Sequence, residues 1–169
     1  RVIEMPLSET MLTGAIIGMA ADGWHPTLVH ARADFLYLSA EHLLNTAATW
    51  KMIHGTGCPI TVRAIIGQGW GNGPMHTKAP LEMFDVAGLK IFTPSCGAGL
   101  ELAMNYAART GTPTVIFERR SLYDFPMICG PLHTCKEIDW SIPRGPAPAS
   151  RPLETAYYQA QTSERQEAF

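Results

Sequence analysis

PITVRAIIGQGWGNGPMH, residues 59–76, changes character half-way along. Ile60, Thr61, Val62, Ile65 and Ile66 make its first half a short β-branched run, and such residues favour a pleated backbone. The run is nearly continuous rather than alternating, as expected of a strand covered on both faces in a parallel sheet. The second half, GQGWGNGPMH (67–76), sets four glycines and a proline around Trp70 and ends on His76. A chain builds such a loop where backbone turns sharply or passes close to another group. It is not a Rossmann fingerprint, because no helix begins inside it at the right spacing. Nor is it a P-loop, because the Lys-Ser/Thr ending is missing.

Strand-like and helical stretches alternate on either side of this segment. Upstream, RVIEM (1–5) reads as a short strand and Ser8 as the N-cap of a helix. Met11, Leu12, Ala15, Ile16, Met19 and Ala20 recur at helical spacing, and Gly23 follows where a C-terminal glycine belongs. TLVHA (27–31) is a strand, and 36–53 a helix with Leu36, Leu43, Leu44, Ala47 and Trp50 on one side. Downstream come a helical stretch near 78–87, a strand in GLKIFTP (88–94), a helix over 96–109 and a last strand in PTVIFE (113–118). The alternation predicts an α/β fold, a parallel sheet with helices on both faces. No internal repeat is apparent.

The 169 residues are enough for one domain with a sizeable core. The net charge of −2, with Lys and Arg scattered, argues against a nucleic-acid partner. No apolar run reaches the roughly 18 residues of a membrane span, and no signal peptide is visible. Four cysteines, Cys58, Cys96, Cys129 and Cys135, are few for this length and suggest reduced thiols in a cytosol-like compartment. Cys129, His133 and Cys135 lack a fourth ligand at suitable spacing, so no metal site is expected in the chain itself. The sequence opens on Arg1, directly in a strand-like run, and reads as a fragment or a processed product. Beyond about residue 125, PMICGPLH and SIPRGPAPASRP are proline-rich, and 126–169 is expected to be a linker or surface-hugging tail.

Ligands of open parallel sheets bind beyond the carboxyl ends of the strands. Glu9 follows the first expected strand, Asp34 and Phe35 follow the second, and the loop ending in His76 follows the third. A carboxylate, an aromatic ring and an imidazole on one edge suit a flat heteroaromatic ligand. The ring stacks, the acid holds a ring nitrogen and the imidazole manages a proton. Each residue also has a plainer reading. Glu9 is favoured by the helix dipole, Phe35 serves as core, and His76 is a loop histidine satisfied by backbone.

RVIEMPLSE, GMAADGWHP, ADF, NTAA, GQGWGNGPMH, GLKIFTPS and PTVIFERRSLY, in this order over residues 1–125, resemble a known pattern. It is that of the pyrimidine-binding domain of the beta subunits of thiamine diphosphate-dependent 2-oxoacid dehydrogenases, of the pyruvate, branched-chain and acetoin types, within the transketolase superfamily. The resemblance implies a catalytic Glu9 that binds the cofactor's aminopyrimidine ring. It further implies that Phe35 stacks on that ring and that His76 is the active-site histidine near the reacting carbon. It also implies thiamine diphosphate as cofactor, with its diphosphate and Mg²⁺ held by an alpha-type subunit through a GDG…N motif. The nearest string here, ADG (21–23), reads as a turn. An α2β2 assembly, a lipoyl acyltransferase partner and a small 2-oxoacid substrate follow from the same resemblance, as does a cytoplasmic site in a bacterium or the mitochondrial matrix in a eukaryote. Relative to the family pattern, a helix and strand before residue 1 and the C-terminal domain are absent. Glu41-His42 replaces an Asp-Gln pair, and Thr77-Lys78 follows His76 where Ser-Gln is usual. Two other readings stay open: another transketolase-superfamily enzyme, and a non-catalytic remnant acting as a subunit-binding module.

Overall fold

The structure, a computed structural model, describes residues 2–69 and 72–123. The proposed tail at 126–169, the Cys129, His133, Cys135 cluster and Trp70 lie outside the described residues. Four strands form one parallel sheet in the order β1-β2-β4-β3. They are β1 (Thr27–His30), β2 (Thr61–Ile66), β3 (Lys90–Phe92) and β4 (Thr114–Arg119). The register sets Leu28 beside Val62, Val62 beside Val115, and Ala64 beside Phe117. β2 and β4 occupy the centre, which is why their apolar runs are almost continuous: Val62, Ala64, Val115, Ile116 and Phe117 are all fully buried. β1 and β3 are edges and remain partly open.

The strand expected over 1–5 does not form among the described residues. Residues 2–5 are irregular and exposed, Val2 at 97%. An apolar run becomes a strand only where a neighbouring strand takes up its N–H and C=O groups, and the described chain offers none there. Helix α1 (Glu9–Ala21) follows. Ser8 stands at its N-cap, but the hydroxyl makes no capping bond; only the Ser8 carbonyl is used, by the Leu12 amide at 2.9 Å. At the other end, Gly23 donates to the Ala20 carbonyl and Trp24 to that of Met19, the Schellman pattern. The buried stripe is Thr13, Ile16, Ile17 and Ala20, with Met11 and Met19 facing out. The expected face was thus rotated. α1 is apolar almost all round, so spacing alone could not choose its inner side.

The single helix expected over 36–53 is three helical pieces of different pitch. A 3₁₀ segment covers Ala33–Ser39, a π segment His42–Ala47 and a short α2 Trp50–His54. The wide turn is marked by the Ala48 amide donating five residues back, to Leu43, at 3.0 Å. The change of pitch keeps Leu36, Leu43 and Ala47 all buried while Leu44 and Trp50 stay half-buried. Short α3 (Leu81–Phe84) and longer α4 (Gly97–Thr110) complete the helices. Gly88, just before β3, lies so near the Ala48 carbonyl oxygen that a Cβ would sit 1.9 Å from it. Its φ of +87° is left-handed as well, so only glycine closes this corner.

Candidate functional site

β1 and β2 are parallel neighbours, with His30 beside Ala64 in register. Their carboxyl ends therefore open onto the same rim, and the segments that leave them must meet there. They do: the Phe35 ring, on the 3₁₀ segment after β1, packs edge-on against His76, from the loop after β2. The centroids are 5.6 Å apart and the ring planes 77° apart. Phe35 is 38% exposed, which leaves part of its ring open for stacking.

His76 ends a one-turn 3₁₀ segment, Pro74–His76, and its amide donates to the Gly73 carbonyl at 3.2 Å. Its Nδ1 lies 3.2 Å from the Asn72 carbonyl oxygen. A carbonyl only accepts, so Nδ1–H is the donor of this contact, and the neutral tautomer it favours has Nε2 as its acceptor. The glycines of this loop were expected to let it pack closely. At Gly69 and Gly73 a Cβ would meet nothing within 4 Å; what these positions need is their positive φ, +79° and +74°. At these two positions the turn, rather than crowding among the described residues, is what glycine serves.

Glu9 opens α1 and is half-buried. Two contacts tie that first turn to the segment carrying Phe35. Thr10 donates to the Leu38 carbonyl at 2.8 Å. Inside, the fully buried Thr13 and Ser39 hydroxyls stand 2.8 Å apart, and Thr13 donates to the Glu9 carbonyl at 2.8 Å. The Glu9 carboxylate itself has no hydrogen-bond partner among the described residues. Its charge reaches His30, the last residue of β1, which is only 5% exposed and whose Nε2 is buried without a partner. Burial holds the His30 imidazole below the ordinary histidine value, and the Glu9 charge opposes that shift. Phe35 and His76 thus touch, whereas Glu9 joins them through its element rather than by direct contact.

Three further groups were not assigned a role from sequence. Asp34, 8% exposed, accepts the Lys78 amide N–H at 3.1 Å. Lys78 also sets its Nζ 5.7 Å from the Tyr37 ring centroid. From the middle of β2, Arg63 grips the buried Glu118 near the carboxyl end of β4 with both Nε and Nη2, and the Tyr123 hydroxyl donates to the same carboxylate at 2.8 Å. Of the departures noted above, Glu41 and His42 pair with each other at 2.8 Å, and the His42 ring covers Gly14 of α1. His30 was visible as a lone imidazole ending an apolar strand. The Arg63–Glu118 pair spans 55 residues and leaves no local trace in the sequence.

The residues present fit the aminopyrimidine half of thiamine diphosphate. A carboxylate with no hydrogen-bond partner among the described residues, a part-open aromatic ring and an imidazole stand on the elements that meet at this rim. Among the described residues no group of three His, Cys, Asp or Glu side chains is placed to hold a metal ion.

Residues 1–126 match the family model described as transketolase, pyrimidine binding domain. The chain belongs to that family. This pyrimidine-binding domain is 29% identical over 126 residues to the beta subunit of acetoin:2,6-dichlorophenolindophenol oxidoreductase from Cupriavidus necator, covering 73% of this chain and 37% of that protein. It is 30% identical over 129 residues to the 2-oxoisovalerate dehydrogenase beta subunit of Pseudomonas aeruginosa, covering 75% and 37%. It therefore spans well under half the length of these relatives. Among solved structures it resembles a split-gene transketolase described as an inactive β4 tetramer, with TM-score 0.56, 19% identity, and coverage of 70% of this chain and 37% of that one. That likeness supports the fold of the pyrimidine-binding domain, an α/β parallel sheet.

Proposed function

We propose that the chain supplies the pyrimidine-binding half of a thiamine diphosphate site in a beta subunit of a 2-oxoacid dehydrogenase. The reaction is decarboxylation of a small 2-oxoacid with acyl transfer to a lipoyl group carried by an acyltransferase component. An alpha-type subunit completes the site and holds the diphosphate and Mg²⁺. The observation that carries this reading is the Phe35–His76 contact on the rim where α1 also delivers Glu9. The compartment is the cytoplasm in a bacterium and the mitochondrial matrix in a eukaryote.

When bound, thiamine diphosphate would supply a carbon nucleophile for chemistry at a 2-oxoacid carbonyl. Glu9 would bond the ring nitrogen para to the amino group and so favour the tautomer able to take a proton. A charge-assisted bond of this kind contributes about 1.5–3 kcal/mol, but its larger effect is the choice of tautomer. Phe35 holds the ring plane. His76, with Nδ1 tied to Asn72, presents Nε2 to accept or return a proton near the substrate.

In the complex with the alpha-type subunit, Glu9→Gln is expected to slow proton exchange at the reactive cofactor carbon far more than it weakens cofactor binding. Exchange measured by NMR on the loaded complex decides this; equal rates in the two proteins would refute the role. Release of CO₂ from a 2-oxoacid, set against turnover of sugar phosphates, separates the dehydrogenase from a ketol-transferring enzyme.

A further inference from the structure

We infer that Asp34 is the positioning residue that holds the His76 loop against Phe35. The inference rests on the proposed role of His76, but its geometry stands alone. Asp34 is the residue before Phe35, and its Oδ1 accepts the backbone N–H of Lys78, two residues beyond His76, at 3.1 Å. One carboxylate thus links the segment leaving β1 to the loop leaving β2, across 44 residues of chain. The ring contact at 5.6 Å lies directly beside this link. The Lys78 Nζ, 5.7 Å from the Tyr37 ring centroid, is a further, weaker contact between the same two segments. Within the described part of the loop, His76 bonds to Gly73 and Asn72, and Thr77 to Pro74.

Asp34 is an expensive choice for a merely structural tie. It is more than nine-tenths buried, and its second oxygen, Oδ2, has no partner. A buried carboxylate with a single neutral donor is poorly compensated for lost hydration. Its removal therefore leaves the fold at least as stable, while releasing the loop. A structural residue would behave in the opposite way. The His76 imidazole is thus held from both sides, by the Asn72 carbonyl at Nδ1 and by the Phe35 ring edge.

The test uses the full chain. Phe35→Leu gives the His76 Cε1–H chemical shift without the neighbouring ring, and the unchanged chain gives it with the ring. Asp34→Ala is expected to move that shift to the Phe35→Leu value with no loss of thermal stability. Asp34→Asn, which keeps an acceptor for the Lys78 amide, is expected to restore it. In the loaded complex, Asp34→Ala is expected to lower kcat at least tenfold with KM for the cofactor changed less than threefold, and Asp34→Asn to recover most of the loss. An unaltered His76 shift in Asp34→Ala overturns the inference, as does a stability loss that Asp34→Asn does not repair. Should Asp34→Ala not fold, amide exchange of Lys78 in the unchanged chain decides: strong protection supports the link, and free exchange overturns it. If the shift behaves as stated but no variant, nor the unchanged chain with its partner, binds thiamine diphosphate, Asp34 keeps its role and the proposed function falls.

Discussion

His30 shows how much a single buried imidazole can say. Its burial lowers its affinity for a proton, with Glu9 partly opposing. The unfolded chain then binds this proton more readily than the folded one, so His30 favours folding above the ordinary histidine value and that contribution is lost as pH falls through the lowered one. Urea unfolding from pH 7.5 down to pH 5 is expected to show a declining midpoint, and His30→Gln to flatten the decline. Parallel curves for the two proteins would assign the pH dependence to other groups. Phe35 and His76 were legible from sequence because each follows a strand and sits in a motif, ADF or GPMH. His30 and Asp34 were less legible. What distinguishes them is burial and a missing partner, and neither is visible until the segments have folded together. No hydrogen bond or ring contact joins the Glu9 carboxylate to the two rings among the described residues, so its proposed role rests on its place on α1 and on chemistry.

Elements were read well where a single driving force chose them. β2 and β4 are mostly apolar because both faces are covered, and their runs announced it. The segment over 36–53 was read as one helix and not as three pitches. Hydrophobic spacing reports which residues turn inward, and a 3₁₀ turn followed by a π turn can satisfy nearly the same list as a uniform helix. Residues 2–5 failed as a strand for the converse reason: propensity was present and a neighbour was not. The corner between the π segment and β3 makes a sharp test of packing. Gly88→Ala places a methyl against the Ala48 carbonyl and forces a left-handed φ on alanine, at a cost of about 2–4 kcal/mol. Gly18→Ala, on the exposed side of α1 with nothing within 4 Å, is expected to raise stability by about 0.5–1 kcal/mol. Denaturant midpoints measure both, and equal effects at the two glycines would contradict the corner geometry.

At the scale of the whole molecule, the described residues leave several large apolar side chains open. Val2, Ile3, Leu7, Met11, Met19, Trp24, Met52 and Ile53 are all exposed. Contiguous apolar surface commonly marks association, and the proposed alpha-type subunit would cover part of it while bringing the diphosphate end of the cofactor. Half of a cofactor cradle holds a ligand weakly, because each missing contact leaves the ordering cost of binding uncompensated. The proposed function therefore turns on a calorimetric titration of thiamine diphosphate with Mg²⁺ into the full chain, alone and with an alpha-type subunit. Binding is expected only in the presence of the partner, weakened at least tenfold by Phe35→Ala. Heat that is absent with the partner present, or an affinity indifferent to Phe35, would contradict the claim that this rim grips the pyrimidine ring.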